Sequence, residues 1–143
     1  MSKKVAIVYW SGTGNTEAMA NLIAEGAQSA GVQPDLFTAA DFNAEKASEY
    51  TAIAFGCPSM GTEQLEEMEF EPMFESVKTV LGGKGIVLFG SYGWGDGEWM
   101  RNWQADCEDC CCSLLTEPLI VNGGPDGSTA EDCKKLGEVL AAG

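Results

Sequence analysis

Three stretches of this chain are almost continuously apolar: Val5–Tyr9, "TAIAFG" ending at Gly56, and "GKGIVLFG". A side chain that alternates between faces and is still apolar everywhere predicts a strand buried on both faces, the mark of a parallel sheet. "PLIVN" predicts a last strand of the same kind, and "VQPDLFT" a weaker one whose Pro34 places it near the sheet edge. Between these runs the spacing changes. Thr16 to Ala30 carries Ala18, Met19, Leu22, Ile23 and Ala27 at helical intervals, and Gly31 stops it. "AEKASEY" predicts a short helical or irregular link, and "EFEPMFESVKTVL" a helix with Pro72 near its first turn. "EWMRNWQADCEDCCC" predicts a helix with Met100, Trp103, Cys107, Cys110 and Cys111 on one apolar face. "STAEDCKKLGEVLAA" predicts a closing helix, with Ser128 and Glu131 spaced as a capping box.

The order is β-α-β-α-β-α-β-α-β. It predicts one α/β domain over residues 1–143, a doubly wound parallel sheet with helices on both faces. Such sheets bind ligands beyond the carboxyl ends of their strands, where strand order reverses. Every long glycine-containing loop here follows a strand, so all of them gather at that edge.

The first of these loops, "SGTGNT", runs from Ser11 to Thr16. Gly12 and Gly14 let backbone N–H groups turn inward, Ser11, Thr13, Asn15 and Thr16 add side-chain donors, and a helix start follows. That set holds a phosphate without a cation. An ATP-type phosphate loop needs Lys where Asn15 stands, and a dinucleotide loop needs a third glycine. Cys57 invites a phosphatase reading, but Glu63 occupies the place its Arg requires. A receiver-type signalling domain needs carboxylates where Tyr9-Trp10 and Gly56-Cys57 lie.

Two further loops make the pattern specific. "VYWSGTGNTEAMA", "GCPSMGTEQLEE" and "LFGSYGWGDGEWMR" occur in order, and together they resemble the short-chain flavodoxins from Lys4 to Ala142. The resemblance implies a five-stranded sheet in the order 2-1-3-4-5 and one non-covalently bound FMN at the switch between the first and third strands. It assigns Ser11, Gly12, Thr13, Gly14, Asn15 and Thr16 to the 5′-phosphate, with Ser91 reaching the same side. It assigns Met60 to the inner face of the ring, Trp94 to the outer face, Gly61 and Thr62 to the turn beside N5, Glu63 to N3, and Gly93 and Gly95 to the pyrimidine edge. Trp10, Ser59 and Tyr92 are expected among the cofactor-binding residues as well. A thioether and an indole sandwich a flat ring and exclude water. Glycine at Gly61 lets one peptide turn over when N5 gains a proton, favouring the semiquinone over the oxidised state. Glu63, Glu66, Glu67, Glu69 and Asp96 disfavour the anionic hydroquinone.

A low-potential one-electron carrier follows from that resemblance, and not an enzyme. The alternative is a small FMN-dependent quinone reductase, whose open site Trp94 would block. Lys plus Arg number 8 against 22 Asp plus Glu, a net charge of −14, which argues against nucleic acid and anionic membranes and for basic redox proteins met through electrostatic steering. The apolar runs are too short to cross a bilayer, and the run after "MSKK" is too short for a signal peptide. The expectation is an acidic, cytoplasmic monomer. No His is present, and cysteines crowded on one helix cannot converge on one ion, so no metal site is expected. Pro58, Gly123 and Gly124 depart from the family pattern.

Overall fold

The computed structural model describes residues 4–10, 12, 14–59, 66, 68–93, 97–109, 113–125 and 127–142. Strands β1 (Val5–Tyr9), β2 (Asp35–Thr38), β3 (Ala52–Gly56) and β4 (Gly85–Tyr92) are parallel, in the spatial order β2-β1-β3-β4. Beyond β4 the edge row is divided. β5 (Ser113–Leu114) pairs with Gly85 and Ile86, and β6 (Leu119–Asn122) pairs with Phe89 to Tyr92. From Ile86 to Phe89 is three steps on β4, whereas Leu114 to Leu119 is five on the edge. The two surplus residues arch out where Pro118, which has no N–H to give, precedes β6. The fifth row expected as one strand is therefore two short ones. β4 is also longer than its apolar run predicts. Ser91 and Tyr92, read as loop from their polarity, still pair with Val121 and Asn122.

The helices are α1 (Asn15–Ser29), α2 (Ala44–Ala47), α3 (Phe70–Val77), α4 (Glu98–Asp109) and α5 (Gly127–Ala142). Ser128 thus lies inside α5 and does not precede it as a capping residue would. α1 ends where the amides of Gly31 and Val32 bond back to the carbonyls of Gln28 and Ala27, the double closure typical of a glycine-terminated helix.

Alternation along the strands sorts the core into two layers. Val5, Ile7, Ala52, Ala54, Val87 and Phe89 face α1 and α5, with Met19, Ile23, Leu136 and Leu140. Ala6, Val8, Ile53, Phe55, Ile86 and Leu88 face the other way, against Phe42, Phe70, Phe74, Trp99 and Trp103. β3 sends its small side chains to one side and its bulky ones to the other. On the small side α1 and α5 cross with Gly26 and Gly137 in contact: a Cβ at Gly26 would overlap the Lys134 carbonyl, and one at Gly137 the Ile23 carbonyl. The bulky side is filled by rings, with Phe55, Phe70 and Trp103 meeting their neighbours edge to face at 5.2–5.6 Å.

Candidate functional site

A cleft of about 460 Å³ opens beyond the carboxyl ends of β1, β3 and β4, lined by Trp10, Gly12, Asn15, Pro58, Ser59, Ser91, Tyr92, Gly93 and Gly123. Parallel register puts the ends of the strands at one level, and the reversal of order around β1 separates the following connections and leaves the gap. Gly14 stands at the cap position of α1 with φ 95°, a left-handed conformation that side-chain-bearing residues resist. The cap residue is a glycine with no side-chain oxygen to offer, and Asn15, the first residue of the helix, lines the cleft at its positive end. Asn15 Oδ1 lies 3.1 Å from where a Cβ on Gly124 would stand, so a side chain there would push against it. Below, the buried hydroxyls of Thr16 and Ser91 share a hydrogen bond of 3.1 Å that joins the start of α1 to the end of β4.

The second wall continues the sheet. The Ser59 amide bonds the Ser91 carbonyl at 3.0 Å, and Trp99 Nε1 donates to the Cys57 carbonyl at 3.1 Å. Cys57 is fully buried, and that burial pushes its thiol up to about 12. Its Sγ accepts the amide of Glu66 at 3.4 Å, so the chain that departs after β3 is tied back to it nine residues later.

Glu66 is buried and is not among the groups lining the cleft. Oε1 accepts the amides of Glu69 and Phe70 at 2.7 and 2.8 Å, and Oε2 that of Met68 at 2.9 Å. The carboxylate caps α3 from four residues before it. Burial alone would raise its titration point; the three amide bonds outweigh burial and lower it.

Trp10 divides two cavities. One face borders the main cleft, where its ring lies 3.0 Å from the place of a Cβ on Gly12. Behind it lies a cleft of about 250 Å³ with Tyr9, Glu17, Thr38, Ala39, Ala40 and Glu69. Nε1 donates to Glu69 Oε1 at 3.0 Å, and the Tyr9 hydroxyl to Glu17 Oε2 at 3.3 Å. Burial, and then the Glu17 charge, raise the Tyr9 phenol.

Of the residues assigned from sequence, Trp10, Gly12, Asn15, Ser59, Ser91, Tyr92 and Gly93 line the main cleft, and Gly14 and Thr16 stand at its α1 end. Ser11, Thr13, Met60, Gly61, Thr62, Glu63, Trp94 and Gly95 lie outside the described residues, as do Glu67, Asp96, Cys110, Cys111 and Cys112. Pro58 and Gly123, noted in the sequence as departures from the family pattern, also line the cleft. Gly123 was legible in principle, being the first residue after the last strand, on the edge where every ligand loop gathers. Among the described residues no group of three or more His, Cys, Asp or Glu is placed to hold a metal ion.

A flat ring with a phosphate tail fits this donor set. The cleft joins an indole, a phenol ring and a proline to a helix start rich in amides and hydroxyls, and lacks a cation among its lining residues. Fold and cleft thus define a doubly wound α/β protein that takes a phosphorylated planar ligand at its switch point. The flavodoxin family model matches residues 7–137. The chain is 46% identical over 137 residues to a flavodoxin of Megasphaera elsdenii, covering 96% of this chain and 98% of that one. It is 44% identical over 135 residues to a flavodoxin of Clostridium beijerinckii, covering 94% and 97%. The solution structure of two-electron reduced Megasphaera elsdenii flavodoxin superposes with a TM-score of 0.90 at 44% identity, over 97% of this chain and 99% of that one. This chain belongs to the flavodoxin family. It is an FMN-binding electron carrier, not an enzyme.

Proposed function

We propose that residues 1–143 act as one FMN domain that carries single electrons at low potential between larger redox proteins. FMN supplies the reversible electron chemistry. In this reading Ser11 to Thr16 hold the 5′-phosphate through amides and hydroxyls, with Ser91 steadying Thr16 from below. Met60 and Trp94 enclose the ring, while Gly61, Thr62 and Glu63 meet its N5–N3 edge. Trp10, Ser59, Tyr92, Gly93 and Gly95 complete the walls. The observation that supports it best is the cleft itself, which sets the glycine-capped start of α1 beside apolar rings at the ends of β1, β3 and β4.

The 22 acidic residues against 8 basic ones favour partners with basic faces, such as reductases, hydrogenases and other oxidoreductases, docking near the exposed flavin edge. They also raise the cost of adding negative charge to the site, which keeps the potential low. Among the described residues no helix is long and apolar enough to cross a membrane. A monomer working in the cytoplasm is the state in which the flavin edge stays open to such partners. The deciding experiment is an absorption spectrum of the purified protein, followed by titration of the apoprotein with FMN and riboflavin. A flavin spectrum with much tighter binding of FMN is expected. Equal affinity for the two ligands rules out the phosphate role of Ser11 to Thr16.

A further inference from the structure

Glu66 is not among the residues lining the cleft, yet two hydrogen bonds of its own and one relayed through Glu69 lead toward both walls. Its amide holds Cys57 Sγ at the end of β3, one residue before the wall formed by Pro58 and Ser59. Its Oε1 holds the amide of Glu69 at 2.7 Å. The Glu69 carboxylate in turn receives Trp10 Nε1 at 3.0 Å, and Trp10 is the wall beside the phosphate loop. The carboxylate is buried and all three of its amide bonds are short, so its position is fixed by the protein and not by solvent. Glu69, by contrast, is exposed, and its backbone is held by its own amide on Glu66 Oε1 and by the Met73 amide on its carbonyl.

We infer that Glu66 is a positioning residue for the flavin: through Cys57 on one side and Glu69–Trp10 on the other, it sets the spacing between the Cys57–Ser59 wall and the Trp10 indole. Met60 to Glu63 lie between Cys57 and Glu66 in the sequence, so the inference rests on the proposed ring contacts for that wall and on the geometry alone for Trp10. A buried carboxylate serves this role better than a neutral group. It accepts three amides at once, whereas an amide side chain in its place turns one donor toward the Met68 N–H and loses that bond.

The test is Glu66→Gln in the full-length protein, with FMN and riboflavin affinities and the first midpoint potential measured beside the melting temperature. Both ligands should bind about tenfold more weakly with their ratio unchanged, because the ring walls move and the phosphate contacts stay. The first potential should shift as well. Each tenfold difference between what the two redox states lose reads as about 59 mV. Glu69→Leu, at an exposed position that leaves the cap intact, breaks the same path downstream and should shift both readouts in the same direction by less. It serves if Glu66→Gln fails to fold. Combining Glu66→Gln with Trp10→Phe should cost less than the sum of the two singles, since they act along one path. A lower melting temperature with wild-type affinities and potential would make Glu66 a helix cap and nothing more, and strict additivity would do the same. Met60→Ala and Trp94→Ala in the same titration judge the ring contacts separately. If they leave riboflavin affinity unchanged, the ring reading falls, while the Glu66 result still stands or falls on its own titration.

Discussion

The two faces of the sheet are packed by opposite means. On the α1–α5 side, Gly26 and Gly137 bring backbones together and the strands offer Ala52 and Ala54. On the α3–α4 side, Phe55, Phe70, Phe74 and Trp103 fill a wide gap with rings. The close-packed face carries α1, whose start lines the cleft. The aromatic face carries α3, whose capping residues lead back to the other wall. Backbone contact tolerates almost no added atom, while rings can tilt and refill. In the proposed reading the phosphate is therefore held from the backbone-packed layer, and the wall after β3 is backed by the layer of rings.

That contrast can be broken from either side. Phe74→Ala should have the largest effect, about 3–5 kcal/mol of stability as a cavity opens among rings. At temperatures where the variant stays folded, the ratio of FMN to riboflavin affinity should hold, because α1 is untouched; a collapse of that ratio would show that the two layers are not independent. Gly137→Ala should cost less, about 1–3 kcal/mol as the helices are pushed apart. It should nevertheless reduce FMN affinity more than riboflavin affinity, since α1 shifts. Calorimetry with the two titrations measures both numbers, and an unchanged ratio would mean that the helix crossing does not place the phosphate loop.

Within the phosphate end, Thr13→Ala should weaken FMN binding by roughly 1–3 kcal/mol, as expected for one lost bond to a charged group, and leave riboflavin nearly unaffected. On the other wall, acid sharpens the comparison. Glu66 is held below its ordinary value of 4.5, so the folded state favours its ionised form. That contribution is complete above the unfolded titration point and is lost as pH falls through the lower folded one. Denaturant midpoints between pH 3 and 6 should therefore show a shallower acid loss for Glu66→Gln than for the parent below about pH 4.5; parallel curves would deny Glu66 this part in acid sensitivity. The smallest effect is a slowing of electron exchange with a basic partner as salt rises at fixed pH, which a stopped-flow series checks.

The sheet and its helices were legible because their signals are periodic. Val5–Tyr9 and Ala52–Gly56 read clearly as buried strands, and Gly31 marked a helix end to within one residue. The glycine loops were legible because parallel topology brings them to one edge. What escaped notice depends on contacts distant in sequence. Ser91 and Tyr92 look like loop until Val121 and Asn122 pair with them. Glu66 lies among other acids in "EQLEEMEFE", and nothing in that spacing shows that its carboxylate turns inward to cap α3 while Glu69 turns toward Trp10. Trp99 sits on the same helix as the expected apolar face yet was not placed on it, and it is buried to 1% with its indole on Cys57.

The divided edge row bears on how the molecule behaves in a crowded solution. An exposed outer strand is a template onto which another chain can add, and long regular edges are where sheets begin to stack into fibres. Here an incoming strand would find a ladder of only two residues at Ser113–Leu114, then an arch with Pro118, then four more residues at Leu119–Asn122. Neither piece is long enough to seed a regular extension, and the arch prevents the two from acting as one. Along this rim the molecule thus carries a built-in obstacle to recruiting copies of itself.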